Sequence, residues 1–200
     1  MDVKERLAEA IKLLDKRKII VIDGRMDEDL EDIVLTCLRR ALELGYKEIS
    51  VLFNSGGGNW ITGIAIYNAI LLLRASGTTV HGIIMASCCS AAAVVFQACT
   101  TREIMQGSHM LMHWGRSTLN NTEQASLRRG NTKWVIRQIN DANEEMLAIL
   151  ASRCKISRKK LAKLCDREER IMAKRAVKLG LADKVVDYGT FNDLFDLPKK

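Results

Sequence analysis

Apolar residues recur at helical spacing through Val3, Leu7, Ala10, Ile11 and Leu14, which predicts an amphipathic helix over residues 2–16 that stops at Lys18. The next apolar run, Ile19-Ile20-Val21-Ile22, is β-branched and closed by Asp23-Gly24, so it reads as a strand and a turn. Helical period returns over residues 27–44 through Leu30, Ile33, Val34, Leu38 and Leu42, with Gly45 in the stop position. Ile49 to Phe53 predicts a strand, residues 59–75 a mostly apolar helix, Thr78 to Ala86 a strand, and residues 90–99 a helix of small and branched residues. Strands and helices that alternate with short connections imply an α/β fold with a parallel sheet covered by helices.

Short strands follow at Glu103 to Met105 and Met110 to His113, either side of a turn at Gln106-Gly107. Residues 121–152 then keep helical period for about 45 Å at 1.5 Å per residue, more than one small domain can cover. Such a helix is expected to project and pack against another subunit. Shorter helices at 157–165 and 173–179, the second ending at Gly180, lead to a final strand from Ala182 to Val186. Residues 190–200, with the single proline Pro198, read as a tail.

A length of 200 residues with 48% hydrophobic content suits one domain, spanning 1–200, with a substantial core. The stretch from Val80 to Ala98 is nearly long enough to cross a bilayer, but His81, Ser87, Ser90 and Gln97 interrupt it, so a buried strand and helix explain it better than a membrane span. The charge of +7 gathers in Arg153 to Lys178 and Lys199-Lys200 without interleaved aromatics, which points to a solvated basic face rather than to nucleic acid. Six cysteines without metal-ligand spacing read as reduced thiols, and the alternating charges of Met1 to Lys18 read as a helix and not as a leader. A cytoplasmic location and no metal or cofactor are expected.

Three segments carry candidate chemistry. Ser90 follows a strand and starts a helix, whose unpaired amides and dipole would favour an alkoxide and a tetrahedral anion nearby. A simple N-cap role would also account for it. His113 closes an apolar run, where strand ends face the crevice of an open α/β sheet, and imidazole is the side chain best suited to take a serine proton near neutral pH. Asn54-Ser55-Gly56-Gly57-Gly58 lets backbone amides approach an oxyanion, while its spacing fits neither a phosphate loop nor a dinucleotide fingerprint.

In these segments the chain resembles the Clp protease proteolytic subunit family. Asn54-Ser55-Gly56-Gly57-Gly58 and Thr62-Gly63-Ile64-Ala65-Ile66-Tyr67 are similar to its Asn-Ser-Pro-Gly-Gly and Gly-x-Ala-Ile-Tyr signatures, with Gly56 replacing the proline. Ser90-Ala91-Ala92-Ala93-Val94-Val95-Phe96-Gln97-Ala98, Ile104-Met105 and His113 resemble the nucleophile helix and histidine strand, and weaker similarity runs from about Leu14 to Val186. The resemblance implies an α/β spiral of β-β-α units, shared with crotonases, from which a long handle helix projects. It further implies a self-compartmentalising serine endopeptidase acting on unfolded protein, built as a homo-oligomer of seven-membered rings, often two stacked through the long helix, and fed by an AAA+ unfoldase.

By that resemblance Ser90 would be the nucleophile, His113 the general base, and the amides of Gly58 and Ala91, beside Gly57, the oxyanion hole. Cys88 is the competing nucleophile if the register shifts. The family's third member, an aspartate about twelve positions before the glycine of a Gly-Leu-x-Asp turn, falls here on Glu168, with Asp166 and Glu169 beside it. These departures leave open a catalytically weak or silent ring subunit that scaffolds an active paralogue, and more remotely a crotonase-like acyl-CoA enzyme. The N-terminal helix in place of the family's axial loops leaves docking of an unfoldase open.

Overall fold

A computed structural model describes residues 2–115, 132–187 and 189. Their order is α1 (Val3–Arg17), β1 (Ile19–Met26), α2 (Glu28–Glu43), β2 (Glu48–Gly58), α3 (Trp60–Ala75), β3 (Thr79–Cys89), α4 (Ala91–Gln97), β4 (Thr101–Met105), β5 (His109–Leu111), α5 (Thr132–Arg153), α6 (Arg158–Arg167), β6 (Ile171–Met172), α7 (Ala173–Leu179) and β7 (Lys184–Val186). The α/β alternation is the one the sequence pattern predicts. Of the long helix expected over 121–152, residues 132–152 are helical and 121–131 lie outside the described residues.

Asp2 opens α1 with a reciprocal cap, its Oδ1 accepting from the Glu5 N–H at 2.8 Å while its own N–H donates to Glu5 Oε2 at 3.0 Å. Asp15 then takes both Nε and Nη2 of Arg40, at 2.7 and 2.8 Å, which fastens α1 to α2.

The sheet runs β1-β2-β3-β4-β7 with every pair parallel, and it departs from the expected boundaries at two instructive places. Asp23-Gly24 is not a turn: the strand continues through a register shift between Asp23 and Arg25 and pairs Arg25 with Gly57 and Met26 with Gly58. Gly24, at φ 80°, absorbs that shift as glycine can. The glycine run likewise stays in β2 instead of ending it.

The second departure is a fork in β3. Residues His81 to Ile84 pair with β4, whereas Ser87, Cys88 and Cys89 pair with His109, Met110 and Leu111 of β5. This brings β5 alongside the end of the strand that leads into Ser90. β5 closes at Leu111 rather than His113, and it pairs antiparallel with β6, a two-residue strand that hydrophobic pattern alone is too short to reveal.

One face of the sheet carries the main core. Phe53 of β2 meets Phe96 of α4 edge to face, with ring centroids 5.3 Å apart. All of α4 is buried, and Gly63 of α3 lets that helix approach closely, since a Cβ there would stand 3.1 Å from the Ala91 Cβ. A smaller cluster of Ile19, Leu52, Ile83, Met105 and Val186 lies on the other face. α5, about 33 Å long at 1.5 Å per residue, is anchored towards its C-terminal end by buried Met146, Leu147 and Leu150 and leaves Trp134 and Ile136 exposed.

Candidate active site

Ser90 sits at the junction of β3 and α4 with φ 54° and ψ −127°, a combination that costs a non-glycine residue free energy. Its N–H donates to the Leu111 carbonyl at 2.8 Å, so the fork holds it there. A capping serine has extended backbone and accepts from the first turn of its helix. Ser90 does neither, which removes the cap as the reason for a serine at this position.

Directly against it lies the glycine run. A Cβ on Gly57 would stand 2.6 Å from the Ser90 Cβ, 2.7 Å from the Cys89 carbonyl oxygen and 3.0 Å from the Ala91 nitrogen, and Gly57 has φ 89°. A Cβ on Gly58 would overlap the Met26 backbone, but Gly56 opens onto empty space. Gly57→Ala is therefore expected to cost on the order of 2 kcal/mol or more, and Gly56→Ala to stay within about 0.5 kcal/mol, as read by chemical denaturation. The Gly57 N–H donates to Ser55 Oγ at 3.1 Å, and Ser55 in turn donates to the Gly24 carbonyl at 2.6 Å. The Gly57 N–H is thus spent on fixing the end of β2, while the Ala91 N–H, first in its helix, has no intrahelical acceptor.

His113 lies two residues beyond β5, half-buried, with Nδ1 2.7 Å from the Trp114 carbonyl oxygen. Because a carbonyl can only accept, this bond puts the proton on Nδ1 and leaves the Nε2 lone pair as the basic site of the neutral ring. Ser90, His113, Gly56, Gly57 and Gly58 line one cleft of about 410 Å³, together with Gly24 and Arg25. No direct hydrogen bond joins Ser90 to His113 among the described residues, and such contacts commonly tighten only around a bound substrate. The other histidines serve elsewhere: His81 pairs with Thr101 Oγ1 at 2.9 Å, and burial lowers the pKa of His109 on β5.

Cys88 is fully buried, and burial pushes its thiol well above the ordinary value, so it lacks the exposed thiolate a nucleophile needs. All six cysteines are free.

The three candidate carboxylates stand differently. Glu168 ends α6 in a left-handed conformation, φ 48°, with its side chain exposed. Glu169 accepts from Arg175 at 2.7 Å, and that bond holds its pKa below the usual carboxylate value. Asp166 accepts the Trp114 indole N–H at 2.8 Å. Among the described residues no carboxylate is hydrogen-bonded to His113. Trp114, which sequence reasoning passed over, is held at both ends, its carbonyl by His113 and its indole by Asp166. Arg25 was also missed, because a turn was expected where β1 in fact continues. No cluster of metal-ligating side chains occurs among the described residues.

The chain is similar to known proteins. It is 26% identical over 186 residues to ATP-dependent Clp protease proteolytic subunit 4 of Rhodococcus jostii (strain RHA1), covering 91% of both chains. Among solved structures, a ClpP1 mutant from Listeria monocytogenes superposes with a TM-score of 0.72 over 88% of this chain and 94% of its own, at 19% identity, a likeness of fold. The sequence profile of the Clp protease family matches residues 2–189, and the chain belongs to that family.

Proposed function

We propose that this protein is a serine endopeptidase that cleaves unfolded polypeptides. Ser90 Oγ attacks the peptide carbonyl as His113 Nε2 takes its proton, and the amides of Gly58 and Ala91 stabilise the oxyanion. The imidazolium then protonates the leaving amine, and water, activated by the same histidine, releases the acyl group from Ser90. The observation that carries this reading is the strained, non-capping Ser90, placed in one cleft with a histidine whose Nδ1 is already engaged.

The assembly reading rests on family membership. A homo-oligomeric ring, one or two layers of seven, suits an α5 that leaves Trp134 and Ile136 exposed. The Rhodococcus relative is named as the proteolytic subunit of an ATP-dependent protease, which supports an ATP-driven partner, here proposed to be an AAA+ unfoldase. A cytoplasmic location is part of the same proposal, and no helix among the described residues is long and apolar enough to cross a membrane.

A second reading, a silent subunit that scaffolds an active one, is favoured by the want of a carboxylate on His113 among the described residues. Fluorophosphonate labelling of the assembled protein separates the two: label on Ser90 supports the peptidase, and an assembled but unlabelled ring supports the scaffold.

Glu168 is the carboxylate proposed to support the imidazolium. Glu168→Gln is expected to lower kcat by about 10²-fold or more in peptide hydrolysis. An unchanged rate, with the loss appearing in Asp166→Asn instead, moves the role to the residue that braces Trp114.

A further inference from the structure

Arg25 introduces charge into a cleft otherwise lined by glycines, a serine and a histidine. The register shift after Asp23 sets Arg25 opposite Gly57, and Gly57 itself abuts Ser90 and Ala91. Neighbouring strands lie about 4.8 Å apart, so Arg25 lines the same cleft as Ser90 from the adjacent strand.

Among the described residues nothing uses that charge. Arg25 is exposed and lines the cleft, and its side chain takes part in no hydrogen bond or ion pair among the described residues. The nearest acids along the chain are committed: Asp23 accepts from Asn54 Nδ2 at 2.8 Å, and Asp27 caps α2 by accepting the Leu30 N–H at 3.1 Å. An arginine held at a cleft without a partner is a fork of donors whose natural acceptor is a carboxylate.

Building on the peptidase reading, we propose that Arg25 is a specificity determinant that selects substrates presenting a carboxylate next to the scissile bond. That carboxylate is either an Asp or Glu side chain or the free C-terminus of a short peptide. Gly56, which lines the same cleft and opens onto empty space, leaves room for it and adds no competing side-chain acceptor. Because the pair forms at an open cleft, it is worth about fivefold in affinity and weakens as salt rises.

The test uses full-length Ser90→Ala protein, so that fluorescent peptides bind without being consumed and a failure of catalysis does not obscure the result. Three peptides of one sequence carry an internal Glu with an amidated end, an internal Gln with a free carboxylate, or an internal Gln with an amidated end. Anisotropy should show one or both acidic peptides binding about fivefold tighter than the neutral one, and which of them does identifies the source. The preference should vanish in Ser90→Ala/Arg25→Gln and invert towards a Lys peptide in Ser90→Ala/Arg25→Glu. Equal binding of all three peptides, or a preference that survives Arg25→Gln, overturns the proposal. In wild-type protein the ratio of kcat/KM for the Glu and Gln peptides should follow the binding ratio, whereas an absence of any turnover bears on the peptidase reading alone.

Discussion

Ser90→Ala is expected to abolish fluorophosphonate labelling and to lower peptide turnover by about 10⁴-fold or more, with His113→Ala close behind and the double variant no worse than either alone. The non-additivity matters as much as the size, because a nucleophile and its base act as one unit. Cys88→Ala should keep its labelling, since that thiol is fully buried and burial holds it in the unreactive form. The same site predicts an opposite trend in stability. At φ 54° the backbone of Ser90 is strained for any residue with a Cβ. Ser90→Ala inherits the strain, whereas Ser90→Gly relieves it and should gain on the order of 1 kcal/mol in chemical denaturation while remaining inactive. A glycine variant no more stable than the alanine variant would mean that the geometry carries no stored energy, and Ser90 would lose its chief structural mark as a nucleophile.

The alternation of elements was legible because a β-branched run and a period of 3.6 are written locally, as in Ile19 to Ile22 and in Leu30 through Leu38. What brings Ser90 to His113 was not local. It is the division of β3 between β4 and β5, a pairing choice made by the whole sheet. The glycines misled in a specific way: Gly24 read as a turn residue, and Gly57 and Gly58 as lying beyond the strand that ends at Phe53, yet they are glycines because a strand shifts register at one and backbones meet without room for a Cβ at the others. That error hid Arg25. The candidate carboxylates were least legible of all: the contact that braces Trp114 spans 52 positions to Asp166 in the last turn of α6, while Glu168 and Glu169 follow that helix in a short irregular segment where spacing carries little information.

The Gly180-Leu181-Ala182-Asp183 turn yields the second large effect, and its physical role lies away from the cleft. Arg102, with only 5% of its side chain exposed, donates Nε and Nη2 to Asp183 and Nη1 to Gln97 Oε1 and the Gly180 carbonyl. Its backbone N–H also donates to Asp183 Oδ2 at 2.8 Å. Gln97 is the last residue of α4, the helix that Ser90 precedes, and it donates to the Leu181 carbonyl at 3.2 Å. One carboxylate therefore neutralises a buried guanidinium that ties β4, the end of α4 and the turn before β7 together.

The two partners are not equivalent. Asp183 is 44% exposed, so water can solvate it once Arg102 is gone, but Arg102 without Asp183 is a buried charge with nothing opposite. Asp183→Ala is accordingly expected to cost about 2 to 3 kcal/mol, more than Arg102→Met, and to lower Tm by roughly 5 to 10 °C. It should also slow Ser90 labelling through the loosened α4. The pH dependence has a definite sign. Burial pushes the Asp183 pKa up, but the hydrogen bonds and charge of Arg102 pull the net value below 3.8. Its stabilisation is then complete above that value and lost as pH falls through the lower folded pKa, so the gap between wild type and Asp183→Ala should be constant near neutrality and close only below about pH 4. A gap that stayed open in acid would mean the turn depends on the shape of Asp183 and not on its charge.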